Sequence, residues 1–335
     1  MKLVLPLLAR LAIVAGILPV FSGTLFAADK IVFGLDWVIS GQHAPFFVAK
    51  AKGFYTAEGL DVDIVRGYGS ADAVKRVAAG NMDIGFGDAG ALVLARSEGV
   101  RVKTIAMVYS NAPYSLVVRA DANIKEPRDL EGKTIAAPAG GAGRAMFPLF
   151  AKLAKFDASK VNWLTVDSAS MLQVLISNRA SGIATMYVQH ATDEARASEA
   201  GVKVYSIKYA DHGLRMYSNG LLATDETLQK RPEVVRKFVA ATIRGIEYSF
   251  LNPAEAAKIL VAANPILSEA LVAQDVVTVR QLAQSKEAQE HGFGYIADDV
   301  MLATRDIVAE VYNSAAAKAL DVKTVYTNEF LPKKH

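Results

Sequence analysis

A carboxylate, an indole and an imidazole stand close together at Asp36, Trp37 and His43, in a polar loop that also holds Ser40, Gly41 and Gln42. An apolar run at 31–35 precedes the loop, and a second apolar segment with Phe46, Phe47, Val48 and Ala49 follows it. Together these groups can accept a hydrogen bond, stack on a ring face and donate or accept through the imidazole. That chemistry suits recognition of a small planar molecule, with Trp37 as the leading contact and Phe46 and Phe47 reading as helix packing. His43 serves either a ligand or the loop itself. Catalytic alternatives find little here. The G-x-S-x-G nucleophile elbow does not occur, and there is no cysteine. The histidines at 43, 190, 212, 291 and 335 lack the i, i+4 spacing of a helical metal site. No cofactor or metal is expected.

Two glycine-bearing loops could supply the rest of a site. Tyr68, Gly69 and Ser70 open one helical pattern, and Gly140, Gly141, Ala142, Gly143 and Arg144 open another. The first N–H groups of a helix have no partner within it, so each loop offers donors to an anion or a carbonyl oxygen. Arg144 adds a positive charge or is simply an exposed residue at a helix start. A third run, Gly85-Phe86-Gly87-Asp88-Ala89-Gly90, matches the dinucleotide spacing G-x-G-x-x-G, but no acidic residue lies between 99 and 120 to hold a ribose. Nucleotide binding is therefore rejected, and Asp88 becomes either a ligand acceptor or a helix cap. Tyr109, Tyr114 and Tyr187 also fall near predicted loop ends, where they stack on a ligand or pack in the core. Gln189 and His190 follow Tyr187 in a strand-end segment.

The elements that must position these residues alternate between strand and helix. Strand patterns at 60–65, 83–86 and 102–108 are interleaved with helical patterns that place Ala73, Val74, Val77 and Ala78 on one face and then run over 89–98. A fresh α/β series begins near Lys125, with strands at 134–137, 161–166, 182–187 and 202–207 and helices at 144–155 and 170–178. Such alternation predicts mostly parallel sheets flanked by helices, in two α/β lobes. After a strand at 217–223, helices dominate. Val235, Phe238, Val239, Thr242 and Ile246 share one helical face, and Asn252-Pro253-Ala254-Glu255 reads as a cap, a first-turn proline and a first-turn acid.

With 335 residues, about half of them hydrophobic, the chain can build two cores. Its start reads as a signal peptide: Lys2 and Arg10 near an apolar run, then Leu25-Phe26-Ala27 as a cleavage site. An uncleaved membrane anchor is the alternative. Residues 1–27 are thus expected to be removed, and no later run has spanning length. The absence of cysteine excludes disulfides and a lipidated cysteine tether. The formal charge of +3 includes Lys2 and Arg10, so the remainder is nearly neutral and gives no basis for a nucleic-acid partner.

The order Asp36-Trp37, His43, Ala49-Lys50, Lys52-Gly53-Phe54-Tyr55 and Glu58-Gly59-Leu60-Asp61-Val62 resembles the NMT1/THI5-like family of periplasmic substrate-binding proteins. Asp129-Leu130-Glu131-Gly132-Lys133 and the segment from Arg231 to Phe238 extend the resemblance. The resemblance implies a type II periplasmic binding fold joined by two crossings, with 28–116 and 219–335 forming lobe 1 and 117–218 forming lobe 2. It also implies a monomeric, periplasmic component of an ABC importer with a permease partner and a small-molecule cargo. Pyrimidine precursors of thiamine are one cargo class, and aromatic carboxylates, sulfonates and nitrate are others. Fungal members are enzymes that use a histidine, a pyridoxal phosphate lysine and a cysteine-rich iron motif. Here His43 and Lys50 or Lys52 are present, but the thiols are not. Val38-Ile39 replace the family's Pro-Asn, and Gln189 stands near where pyrimidine binders carry an acid.

Overall fold

The computed structural model describes residues 28–333, so the expected signal peptide lies outside the described residues. Among these residues the strands form two five-stranded sheets. The first has the order β2 (Leu60–Val65), β1 (Asp29–Gly34), β3 (Ile84–Asp88), β10 (Asn219–Thr224) and β4 (Val102–Met107). The second has the order β7 (Asn162–Thr165), β6 (Thr134–Ala137), β8 (Gly182–Met186), β5 (Tyr114–Arg119) and β9 (Val204–Lys208). In each sheet one strand opposes the others: β10 pairs antiparallel with β3 and β4, and β5 with β8 and β9. These are the strands entered directly after the chain crosses from one sheet to the other.

Residue type follows position in the sheet. Edge strand β2 alternates buried Leu60 and Val62 with exposed Asp61 and Asp63, whereas inner strand β3 is buried along its whole length. Phe33 on β1 meets the rings of Phe46 and Phe238 edge-on, which ties the first sheet to helices Ala44–Ala51 and Pro232–Leu251. That long helix buries Val235, Phe238, Val239, Thr242 and Ile246, the face that helical spacing predicts. The expected cap at Asn252 differs in detail. Its side-chain amide donates backward to the Tyr248 carbonyl and so satisfies the end of the preceding helix.

The lobes interlock. Val188, just past β8, is buried in the first lobe's core with Phe46, Phe86 and Tyr109, while Trp37 from the first lobe packs against the second lobe's core cluster around Ala136, Leu175 and Ile183. Among the described residues, no helix is long and apolar enough to cross a membrane.

Candidate functional site

The loop after β1 is built around Asp36, which is only 2% exposed. One carboxylate oxygen accepts from His43 Nε2 at 2.9 Å, and the other accepts from the Asn219 side chain at 2.8 Å. The Nδ1 of His43 in turn accepts the Ser40 backbone N–H at 3.2 Å, so both ring nitrogens are engaged within the loop and its partners. His43 is fully buried and holds Asp36 from behind. Backbone bonds from Gly69 N–H to the Asp36 carbonyl and from Gly67 N–H to the Trp37 carbonyl fasten the second loop alongside the first. Gly69 has φ +128°, a conformation that side chains disfavour. The amphipathic helix Ser70–Ala78 starts there.

The second lobe supplies the facing wall. Pro138, Gly140, Gly141, Ala142 and Gly143 come from the loop and helix start after β6, and Ala184, Thr185, Met186 and Gln189 from the end of β8 and the turn beyond it. With Asp36, Trp37, Gln42, Gly69 and Ser70 they enclose a slot of about 40 Å³. Its faces are mainly apolar, with polar groups at the edges. Gln42 is buried, and its side-chain carbonyl accepts the Tyr109 hydroxyl at 3.2 Å, which leaves its amide group for a ligand. The Gln189 amide donates to Ser40 Oγ at 3.0 Å and bridges the lobes at the rim.

The sequence candidates divide accordingly. Asp36, Trp37, Gly69, Ser70, Gly140, Gly141 and Gln189 line the slot. Tyr68 is 64% exposed, with the Arg66 guanidinium over its ring. Tyr187 stacks on His190 with centroids 4.0 Å apart and carries the Lys208 ammonium over its ring. Tyr109 and Tyr114 are fully buried. Burial, reinforced by the charges of Asp36 and Asp275, holds the Tyr109 phenol well above its ordinary range. Burial and then Asp88 do the same for Tyr114. Both rings sit in the core because Gln42 and Asp88 satisfy their hydroxyls there.

Asp88 caps helix Ala89–Ser97 by accepting the Ala91 N–H, and it also accepts from the Tyr114 and Ser218 hydroxyls. Burial raises its pKa, and those three bonds counter the rise. Arg144 lies outside the slot. It donates to Thr165 Oγ1 at 2.8 Å and covers the Trp163 ring. Gln42, Thr185 and Met186 are slot residues that the motif search passed over. Gln42 could have been found from its place beside His43, and the other two from the rule that ligands sit beyond the carboxyl ends of strands.

Two lobes with a slot at their strand ends define a solute-binding fold. A solved alkanesulfonate-binding protein SsuA from Xanthomonas axonopodis pv. citri superposes with a TM-score of 0.68 at 14% identity, covering 92% of this chain and 100% of that one. The NMT1/THI5-like family model matches residues 40–256, and the chain belongs to that family. It is 26% identical to the riboflavin-binding protein RibY of Chloroflexus aurantiacus, over 91% of this chain and 86% of that protein. It is 25% identical to a formylaminopyrimidine-binding protein of Halalkalibacterium halodurans, over 70% of each. A 4-amino-5-hydroxymethyl-2-methylpyrimidine phosphate synthase of Aspergillus parasiticus is also 25% identical, over 91% of this chain and 88% of the enzyme.

Proposed function

We propose that this chain is the extracytoplasmic binding component of an ABC importer and that it captures a planar nitrogen heterocycle, of the pyrimidine or flavin kind, between its lobes. The observation that carries this reading is the slot itself, whose apolar faces include Trp37 and Met186 and whose edges hold Asp36, Gln42 and Gln189. A flat ring would bury its faces there and use its ring nitrogens and exocyclic groups at the rim. The small slot is the closed arrangement, and cargo enters when the lobes part. Contacts from both lobes then draw the population back toward closure. The two relatives named as binding proteins support this cargo class.

The enzyme reading is disfavoured by particular residues. Both ring nitrogens of His43 are engaged, and Lys52 is held by Tyr248 and Glu255 away from the slot. There is no cysteine to form a thiolate iron site. Export through a cleaved signal, a periplasmic location, a monomeric state and docking on a permease belong to the same proposal. A melting-temperature screen with hydroxymethylpyrimidine, formylaminopyrimidine, riboflavin, benzoate, taurine and nitrate tests it. Stabilisation by a heterocycle is expected. Stabilisation by taurine or nitrate alone would overturn the cargo class.

A further inference from the structure

A chain of buried side chains runs from the slot to both crossings between the lobes. Asp36 lines the slot, and its Oδ2 accepts the Asn219 amide at 2.8 Å. The Ser218 hydroxyl lies 2.9 Å from Asn219 Oδ1 and 2.9 Å from Asp88 Oδ2. The Tyr114 hydroxyl donates to the same Asp88 oxygen. Asp36, Asp88, Tyr114, Ser218 and Asn219 are each at most 2% exposed, so every one of these bonds lies out of bulk water.

The ends of this chain belong to different lobes. Backbone bonds fix Ser218 and Asn219 to the first lobe and the first crossing: the Ser218 carbonyl accepts the Ala89 N–H, and the Asn219 carbonyl accepts the N–H groups of Val108 and Tyr109. Tyr114 opens β5 in the second sheet, where it pairs directly with Met186 of β8, a residue of the slot's facing wall. Its hydroxyl therefore carries the position of that wall to Asp88. Ser218 has one proton and two acceptors in reach. While Tyr114 donates to Asp88 Oδ2, the Ser218 proton is available to Asn219 Oδ1, and the amide stays turned toward Asp36. When Tyr114 withdraws, Asp88 draws that proton, Asn219 loses its donor, and its amide is no longer fixed on Asp36. We propose, resting on the reading that the slot holds cargo between the lobes, that Ser218 and Asn219 are positioning residues, which turn the docking of Tyr114 into the orientation of the slot carboxylate Asp36.

Two conservative variants test this. Tyr114→Phe removes one hydroxyl from a side chain that does not line the slot, and Ser218→Ala removes the shared proton. The first readout needs no ligand. The Asn219 side-chain amide, assigned in heteronuclear NMR spectra by its loss in Asn219→Ala, should shift and exchange faster with solvent in Tyr114→Phe. The second readout is calorimetry with riboflavin and with formylaminopyrimidine. Each single variant should weaken binding about two- to tenfold. The double variant should lose little more than the more affected single one, because both changes cut the same chain. An unchanged Asn219 amide in Tyr114→Phe would overturn the proposal, as would additive losses of affinity, or lower unfolding stability with affinity intact. Binding of neither compound to the wild type, with the amide still responding, would overturn the heterocycle reading and leave the positioning chain standing.

Discussion

Asp193 and Asp275 are far apart in sequence yet meet where helix His190–Glu199 of the second lobe packs on helix Glu269–Ala283 of the first. Asp193 Oδ2 and Asp275 Oδ1 are shielded from solvent without a hydrogen-bond partner. Burial, followed by the charge of Asp193, pushes Asp275 from 3.8 up to about 8, against a bond from Thr192 that lowers it. Burial pushes Asp193 up to about 7, and Arg196 opposes the rise. Tyr109, on the first crossing, feels the same field. Asp275 packs against Gly41, in the loop whose next residue, Gln42, lines the slot. A Cβ on Gly41 would lie 2.4 Å from Asp275 Oδ2, so glycine there lets the carboxylate sit directly behind the loop that carries Gln42 and His43.

Separating the lobes would hydrate both groups and return them toward their ordinary values, so closure takes up protons. The raised values make the closed form fully favoured at acid pH and progressively disfavoured as pH rises through about 7 and then 8. One proton taken up corresponds to about a tenfold loss of affinity per pH unit, and two protons make the dependence steeper below about pH 7. Calorimetry of a bound heterocycle between about pH 5 and 8 should therefore show affinity falling as pH rises. Asp275→Asn keeps the shape and removes the charge. It should tighten binding at about pH 8 and reduce the slope by about one proton. A wild-type affinity that is flat with pH, or an unchanged slope in the variant, would refute the reasoning.

Other substitutions separate the roles of the slot residues. Trp37→Ala removes a slot face and a contact between the lobes, and should weaken heterocycle binding by about tenfold or more in calorimetry. Asp36→Ala leaves the His43 and Asn219 donors without their buried acceptor, at about 1–3 kcal/mol each, so denaturant unfolding should show lost stability as well as lost binding. Gln189→Ala breaks the bridge to Ser40 and should weaken affinity a few-fold, or about 0.5–1.5 kcal/mol, mainly through faster release in stopped-flow measurements. Tyr68→Ala, at a side chain that points into solvent, should leave affinity unchanged.

The architecture was legible in the sequence because period and punctuation are local. Leu60 to Val65 and Thr134 to Ala137 are strands with the bounds their patterns predict, and the apolar stripe from Val235 to Ile246 is buried as its spacing requires. The glycine loops were legible for the same reason, since a strand, a glycine turn and a helix start follow one another along the chain. Tyrosine was harder to place. Tyr109 and Tyr114 end strands or loops just as ligand contacts do, but their hydroxyls find Gln42 and Asp88, residues distant in sequence, and that pairing holds them in the core. Arg144 begins a helix beside the slot, yet the Trp163 ring and Thr165 hold its guanidinium outside it. The Asp193 and Asp275 pair has no local signature at all, because it exists only through the packing of two helices from different lobes.

The central claim is that the slot between the lobes carries a planar heterocycle, and native mass spectrometry of the protein purified from the periplasm tests it most directly. The account predicts one heterocyclic molecule per chain in the wild type, lost in Trp37→Ala. An aliphatic sulfonate or another non-aromatic cargo, or a heterocycle retained undiminished by the variant, would contradict it.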